Sequence, residues 1–490
     1  MNYLDIKTLG ELKKTGYTSK SIKEEIRNNL IQKWQDKETV FKGIIGFEDT
    51  VLPDVERALL SRHNILLLGL RGQAKTRIAR LMVQLLDEYI PAIEGTELDE
   101  DPLNPITKAA KDIVEKMKDK TPITWIHRSH RYVEKLATPD VTVADLIGDI
   151  DPIKAANLKV SYGDDLAIHY GLIPRAHRSI FVINELPDLQ PRIQVALFNI
   201  LQEGDIQIRG FKMRLPLDIQ FVFTANPEDY TNRGSIITPL KDRIESQILT
   251  HYPRTVEEAK IITELEAKVH SDQTNKVKVL DIHKTILELI SFEARESEYV
   301  DDKSGVSARL SLSAYENLIS TAERRMLLNN EKSTVTRLSD FWGVIPAITG
   351  KVELVYEGEQ EGLYNVALHF IFGAISKVFT SIFPNPETKL KRDLKDEYGV
   401  VKAWFAGGNH LELLNDGTKK DYETCLNSVR GLDDMVKKVS ADPVEILAMK
   451  ELILFGLSES DVISKNIVDK KLYFTDPLSN MLDDIDEEDD

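Results

Sequence analysis

Lys75 and Thr76 close the string Gly69-Leu70-Arg71-Gly72-Gln73-Ala74-Lys75-Thr76, in which two glycines precede a cation and a hydroxyl. These residue types at this spacing suit phosphate binding. Backbone N–H groups of a glycine-rich turn and of a helix N-terminus cradle phosphate oxygens, a lysine reaches the β- and γ-phosphates of a nucleotide, and a hydroxyl ligates Mg²⁺. Ala74 stands where a glycine usually precedes the lysine. A methyl group fits there in a helical backbone and is strained if φ must be positive. Farther along, Ile180-Phe181-Val182-Ile183 runs into Asn184-Glu185. A buried strand ending in two polar groups can hold the shell of a Mg²⁺ ion with the first and polarise an attacking water with the second, Glu185. Asn184 brings no charge, so the metal is expected to be held less tightly than by an aspartate. Asn226 follows a further apolar run in Thr224-Ala225-Asn226-Pro227 and can orient the same water. Arg243, in Pro239-Leu240-Lys241-Asp242-Arg243, suits an arginine finger offered to a neighbouring subunit.

Such groups work only if a fold brings them together, and the periodicities supply one. Asn64–Leu68 is a short apolar run ending at a glycine, the pattern of a buried parallel strand. Thr76–Tyr89 has helical spacing, with Ile78, Leu81, Met82, Leu85 and Leu86 on one face. Thr124–Ile126, Ile180–Ile183, Ile219–Thr224 and Glu245–Leu249 read as further strands, and Arg192–Leu201 as a helix. Strands alternating with helices predict an α/β fold around a parallel sheet. Glu97–Pro105, acidic and proline-containing, reads as a surface excursion. Gly204–Leu215 alternates about Arg209-Gly210 and reads as a β-hairpin. Past Pro253 the pattern turns helical and the sheet pattern does not return.

Five regions follow: an N-terminal stretch of exposed helices (1–40), an α/β nucleotide-binding domain (41–254), a helical lid (255–332), a helical C-terminal region without a readable role (333–480) and an acidic tail (481–490). In that tail, seven of the eight residues Asp483–Asp490 are acidic, which predicts a solvated, self-repelling segment.

Composition narrows the classes. The 490 residues carry 63 basic and 80 acidic side chains, a net charge of −17, which opposes binding to a phosphate backbone. Cys425 is the only cysteine, so neither an intrachain disulfide nor a thiolate metal cluster is expected. The N-terminus lacks a basic region followed by an apolar run, so no signal peptide is expected. Val366–Phe383 is the most apolar stretch, but His369 and Lys377 interrupt it, and it reads as a buried helix. No membrane span is expected, and the reading places the chain in the cytoplasm.

Taken in order, these motifs resemble the AAA+ ATPases that include the magnesium chelatase I subunit and the MoxR proteins, over roughly residues 40–330. Ile44-Ile45-Gly46 resembles the segment that contacts adenine in such proteins. Asp145–Asp151 followed by Tyr170–Arg178 resembles the helix-2 insertion of that clade, and Gly204–Leu215 its hairpin before the sensor strand. Gly305-Val306-Ser307-Ala308-Arg309 resembles the start of a sensor-2 helix. The resemblance implies a P-loop AAA+ core with a helical lid, and ATP and Mg²⁺ as cofactors. The nucleotide would be bound by Ile44, Ile45, Gly46, Gly69, Gly72, Gln73, Ala74, Lys75, Thr76 and Arg77. Thr76 and Asn184 would serve the metal, and Glu185, Asn226, Arg243 and Arg309 would act in hydrolysis. It further implies a homo-oligomeric ring, commonly a hexamer, and a protein partner carrying a von Willebrand A domain. Three classes stay open: a ring ATPase that remodels, loads or matures a protein partner, a nucleotide-gated scaffold with negligible hydrolysis, and a DNA-associated transcriptional regulator. Against the last, the Gly-Ala-Phe-Thr-Gly-Ala loop of σ54 activators is absent from the sequence.

Overall fold

The computed structural model describes residues 3–158, 165–207, 214–227, 235–386, 396–468 and 471–477. The acidic tail and the expected turn at Arg209-Gly210 lie outside them. By its contacts the chain divides into Met1–Tyr252 and Pro253–Asp490.

In the first unit, β1 (Ile65–Leu68), β2 (Tyr132–Leu136), β3 (Ser179–Asn184), β4 (Ile219–Ala225) and β5 (Ser246–Leu249) form one parallel sheet in the order β5-β1-β4-β3-β2. β1, β3 and β4 are buried on both faces, which is why they read as unbroken apolar runs. Alternate residues serve two cores. Leu66, Phe181, Ile183, Phe221 and Phe223 pack on one side, and Ile65, Leu67, Ile180, Val182 and Val222 on the other. This is the α/β P-loop fold expected from the sequence. Because every strand is parallel, all the loops after the strands emerge at one rim. The chain runs from β1 to the far edge and back to β1's side, so the switch in strand order falls beside β1, where open α/β sheets bind ligands.

The sequence reading needs several corrections here. The edge strand β2 was not anticipated, because its residues are mostly half-buried and alternate weakly. Ile123–His127 is a strand, but it pairs antiparallel with Tyr89–Ile93 outside the central sheet. The helix expected to reach Tyr89 ends at Leu81 and tightens to a 3₁₀ turn over Met82–Leu85. Partners from another helix take over there: Asn29 donates to the Leu85 carbonyl (3.0 Å) and the Asp87 N–H donates to Glu25 (2.6 Å). The expected surface excursion is partly core. Leu98, Glu100 and Asp101 are buried, and Glu100 accepts from Ile106 N (2.6 Å), Thr107 N (2.8 Å) and the Thr107 hydroxyl (2.6 Å).

Nor is the N-terminal region simply exposed. Helix α1 (Ile22–Gln35) turns Ile22, Ile26 and Leu30 into the core, a stripe that its many lysines and glutamates obscure. Its Glu25 meets Arg131 in a two-pronged pair, 2.7 Å at each prong, with both side chains buried. The hairpin reading holds for the described strands, Asp205–Gln207 against Arg214–Pro216.

The second unit has a core of its own, running from Ile286 to Phe474. The lid boundary expected at 332/333 falls inside it. Helices α2 (Asp281–Glu296), α3 (Arg309–Leu328), α4 (Leu363–Ile382) and α5 (Pro443–Glu459) build most of it. Sheet structure does return here. β6 (Leu411–Leu414), β7 (Ser464–Val468) and β8 (Lys471–Thr475) form an antiparallel sheet in the order β6-β8-β7; β7 and β8 are neighbours in sequence, whereas β6 pairs with β8 from too far away to be read as a pattern.

α4 is the apolar segment noted above, long and apolar enough to cross a membrane by composition. In the structure it turns Val366, Phe370, Ile371, Ala374, Ile375 and Phe379 into the core. Gly456 of α5 lets it approach closely, since a Cβ at Gly456 would lie 2.1 Å from the Phe379 ring.

His283 on α2 is fully buried, with Nδ1 2.7 Å from the Thr336 hydroxyl, and burial pushes its pKa down to about 3. The unfolded chain therefore binds a proton below about pH 6.5 that the folded chain refuses down to about pH 3. Stability conferred by neutral His283 is complete above pH 6.5 and falls by about 1.4 kcal/mol per pH unit below it. Buried His177 in the first unit, also pushed down to about 3, adds a fall of the same sign. Asp218, pushed up to about 6 by burial, opposes it between about pH 4 and 6. Denaturant titrations at pH 4.5 and 7.5 are expected to show a smaller pH-dependent loss in His283→Gln than in the native chain. An equal loss in both would contradict this.

Candidate functional site

The site is assembled at the rim of the sheet, where β1, β3, β4 and β5 end. After Leu68 the chain turns through Gly69–Ala74 into a helix of the first unit, α6 (Lys75–Leu81).

 Lys75 is buried and its Nζ donates to the carbonyls of Gly69 and Leu70 (2.9 Å for Leu70) and to Asn226 Oδ1 at 3.0 Å. A lysine folded onto the carbonyls of its own loop sits at the centre of the cradle. Gly69 must be a glycine there, because a Cβ would lie 1.9 Å from the Thr250 hydroxyl and 2.2 Å from Gln73 Oε1. Thr250, at the end of β5, holds Gln73 at 2.7 Å and so braces the loop from the neighbouring strand.

Ala74 occupies the left-handed region, with φ 54° and ψ 12°. The positive φ is therefore the native geometry, and the alanine methyl is strained. An L-residue there costs roughly 1–2 kcal/mol relative to glycine, part of which a glycine returns as unfolded-chain entropy. Ala74→Gly is expected to raise the unfolding free energy by about 0.5–1 kcal/mol in a urea titration. A loss of stability would show that the methyl is packed rather than strained.

The second cluster joins β3 to α6. Thr76 Oγ1 donates to Asn184 Oδ1 (3.3 Å), and Thr224 Oγ1 donates to the same oxygen (3.1 Å). Asn184 Nδ2 donates to Glu134 Oε1 on β2 at 2.6 Å. Glu134 in turn receives both prongs of Arg80 (2.9–3.2 Å) and the Tyr132 hydroxyl (3.0 Å). Burial, with Glu134 beside it, holds the Tyr132 phenol above its ordinary range, so it stays a donor. Glu185 is half-buried with φ 54° and ψ 52°, and its N–H donates to Thr224 Oγ1 at 3.2 Å. Thr224 thus ties the ends of β3 and β4 together.

The structure therefore brings Lys75, Thr76, Asn184 and Asn226 into linked hydrogen-bonded clusters, with Glu185 next in chain. Ile44 is buried in the core and Gly46 has φ 79°. Their segment is pinned through Phe47 and Thr50 to His251, which follows β5: the rings lie 4.8 Å apart and Thr50 Oγ1 is 2.8 Å from His251 Nε2. Arg77 on α6 is half-buried, and its guanidinium approaches Gly43. Arg243 has partners outside the Lys75 cluster: Gln202 Oε1 (3.1 Å), the Pro239 carbonyl (2.7 Å) and the face of Phe198 (4.7 Å). Arg309 opens α3 of the second unit and is exposed, its N–H donating to Ser307 Oγ at 3.2 Å.

Sequence reasoning missed Glu134, Thr224 and Thr250. Each acts through a contact between strands far apart in sequence; Thr224 and Thr250 gave the one local signal, a polar residue within or just after a strand, and Glu134 gave none. The donor set near Thr76 is made of oxygen atoms, as a hard cation such as Mg²⁺ requires. The residues present thus fit a magnesium-bound nucleoside triphosphate.

In the region whose sequence resembles a helix-2 insertion, Gly148–Ile150 pairs antiparallel with Ile168–Tyr170. Residues 158–248 match the family model described as the sigma-54 interaction domain, a segment that carries Asn184, Glu185, Asn226 and Arg243. Among solved structures, the chain is similar to a Cytophaga hutchinsonii protein provisionally designated an ATPase, at 17% identity over 74% of this chain and 97% of that one, with a TM-score of 0.28. It is similar to NtrX from Brucella abortus in complex with ADP, at 13% identity over 76% and 68% of the two chains, with a TM-score of 0.38. The BchI–BchD complex of magnesium chelatase matches at 19% identity over 66% and 98%, with a TM-score of 0.33.

Proposed function

With an AAA+ nucleotide-binding core as the premise, we propose that this chain is a ring-forming ATPase that couples hydrolysis to the remodelling, loading or maturation of a protein partner, in the manner of MoxR proteins and the magnesium chelatase I subunit. The observation that carries the reading is the meeting of Lys75 with Asn226 and of Thr76 with Asn184 at one rim of the sheet. Lys75 is placed to leave the loop carbonyls for the β- and γ-phosphate oxygens, an exchange of one set of oxygen acceptors for another. The loop N–H groups and the start of α6 hold the remaining phosphate charge. Thr76 and Asn184 would hold the Mg²⁺ shell, and bound Mg²⁺ would neutralise charge on the β- and γ-phosphates.

Asn226 orients a water against the γ-phosphorus and Glu185 polarises it. The new P–O bond forms as the bond to the β-phosphate oxygen breaks, and the water proton passes to the Glu185 carboxylate. Arg243, from a neighbouring subunit, would stabilise the charge that develops on the β-phosphate oxygen of the leaving ADP. A von Willebrand A domain protein is the proposed partner, and the cytoplasm the proposed location.

Titration of a fluorescent ATP analogue tests the first step. The native chain is expected to bind it, and Lys75→Ala to bind at least tenfold more weakly. Equal binding by the two would place the nucleotide elsewhere.

A further inference from the structure

Asn184 stands where the reading of this site would call for a carboxylate near the metal, yet a carboxylate lies one hydrogen bond behind it. We propose that Glu134 is the positioning residue of the magnesium site: it fixes which end of the Asn184 amide faces Thr76 and supplies the negative charge that Asn184 lacks. The inference rests on the nucleotide reading above.

A side-chain amide has two ends of nearly equal shape, one an acceptor and one a donor. Here its orientation is decided by what surrounds it. Glu134 Oε1, 2.6 Å from Asn184 Nδ2, can only accept while ionised, so the amide must offer its NH₂ to that side. The amide oxygen is then left toward the Thr76 and Thr224 hydroxyls, at 3.3 and 3.1 Å, where a hard cation's water shell needs an acceptor. Register makes this possible. β2 and β3 pair in parallel with Glu134 opposite Val182 and Leu136 opposite Asn184, so Glu134 and Asn184 project from the same face of the sheet.

Glu134 is itself fixed. The two prongs of Arg80 and the Tyr132 hydroxyl leave its carboxylate little freedom to turn away. Its side chain is 24% exposed against 64% for Arg80, so the carboxylate is the inner member of that pair and faces the site.

The same contact explains why position 184 is an amide. An aspartate there would set two carboxylates at the separation now spanned by a hydrogen bond, and one would have to take up a proton or move. Asn184 and Glu134 thus form a matched set, in which the charge has moved back by one residue across the strand pair. Hydrogen-bonded carboxylates behind metal ligands commonly change metal affinity by about 10–100-fold.

The test uses the full chain and a fluorescent ATP analogue, titrated in Mg²⁺ and in EDTA, with native protein, Glu134→Gln, Asn184→Asp and the double variant. Glu134→Gln keeps the shape and an oxygen for Arg80, and thermal melts check that each variant folds. Glu134→Gln is expected to lose about tenfold or more of the affinity that Mg²⁺ adds, with binding in EDTA unchanged. Asn184→Asp alone is expected to gain none, and the double variant to recover the Mg²⁺ effect. A loss that is equal in Mg²⁺ and EDTA, a Glu134→Gln chain with the native Mg²⁺ effect, or a gain in Asn184→Asp with Glu134 still present would each overturn the inference. Native binding that ignores Mg²⁺ overturns it too while leaving nucleotide binding standing. No nucleotide binding at all overturns the reading beneath it.

Discussion

Glu185→Gln is expected to lower ATP turnover by about two to four orders of magnitude while nucleotide affinity stays within a few-fold, the range assigned to loss of a positioned general base. The side chains are isosteric, so the left-handed turn at φ 54° and the N–H bond to Thr224 are retained. What disappears is the carboxylate that accepts the water's proton. Lys75, Thr76 and Asn184, to which the proposal assigns the binding, are untouched. Phosphate release in the steady state, set beside a nucleotide titration, separates the two quantities. Turnover within threefold of native would remove Glu185 from the chemistry, and a parallel collapse of binding would make its role structural.

Arg243→Ala carries the other large effect. In the structure its hydrogen bonds run to neutral acceptors, Gln202 and the Pro239 carbonyl, at the end of the short helix Thr238–Asp242. The half-buried guanidinium thus keeps its charge undivided by those bonds, and it would exchange them and the Phe198 face for a phosphate of another subunit's nucleotide. An arginine finger contributes about 10³–10⁵ in rate. Loss of the side chain is expected to lower turnover by about that factor while each subunit still binds nucleotide. Native turnover per chain is expected to climb with protein concentration, and Arg243→Ala to stay flat. If dilute and concentrated native protein turn over equally per chain, the finger is not supplied by a neighbour.

Much of this site is legible in sequence because its parts follow buried strands. Asn64–Leu68, Ile180–Ile183 and Ile219–Thr224 are apolar on both faces, so their ends are sharp, and the polar residues just beyond them stand out. β2 is different. As a half-buried edge strand it mixes Tyr132, Glu134 and Lys135 with Val133 and Leu136, and nothing local separates it from a loop. Glu134 was invisible for the same reason, since its meaning lies in a partner fifty residues away. The departure at Ala74 could be seen in the sequence, but its sign could not. Whether a methyl is neutral or strained depends on φ, which the closed loop fixes through Gly69, Gln73 and Thr250. The N-terminal helix was misjudged because abundant lysine and glutamate describe the exposed side of α1 and are silent about Ile22, Ile26 and Leu30 on the other. In the second unit the antiparallel sheet joins Leu411–Leu414 to Lys471–Thr475, a pairing across a distance that periodicity does not reach.

The central claim is that Lys75, Thr76, Glu185 and a neighbour's Arg243 hydrolyse ATP at the rim of this sheet. Mg²⁺-dependent ATP turnover across a protein dilution series, for the native chain, Glu185→Gln and Arg243→Ala, tests it most directly. The account predicts native turnover that rises per chain with concentration, requires Mg²⁺ and is lost in both variants. Turnover that is unchanged by Glu185→Gln, or no Mg²⁺-dependent turnover at any concentration, would contradict it.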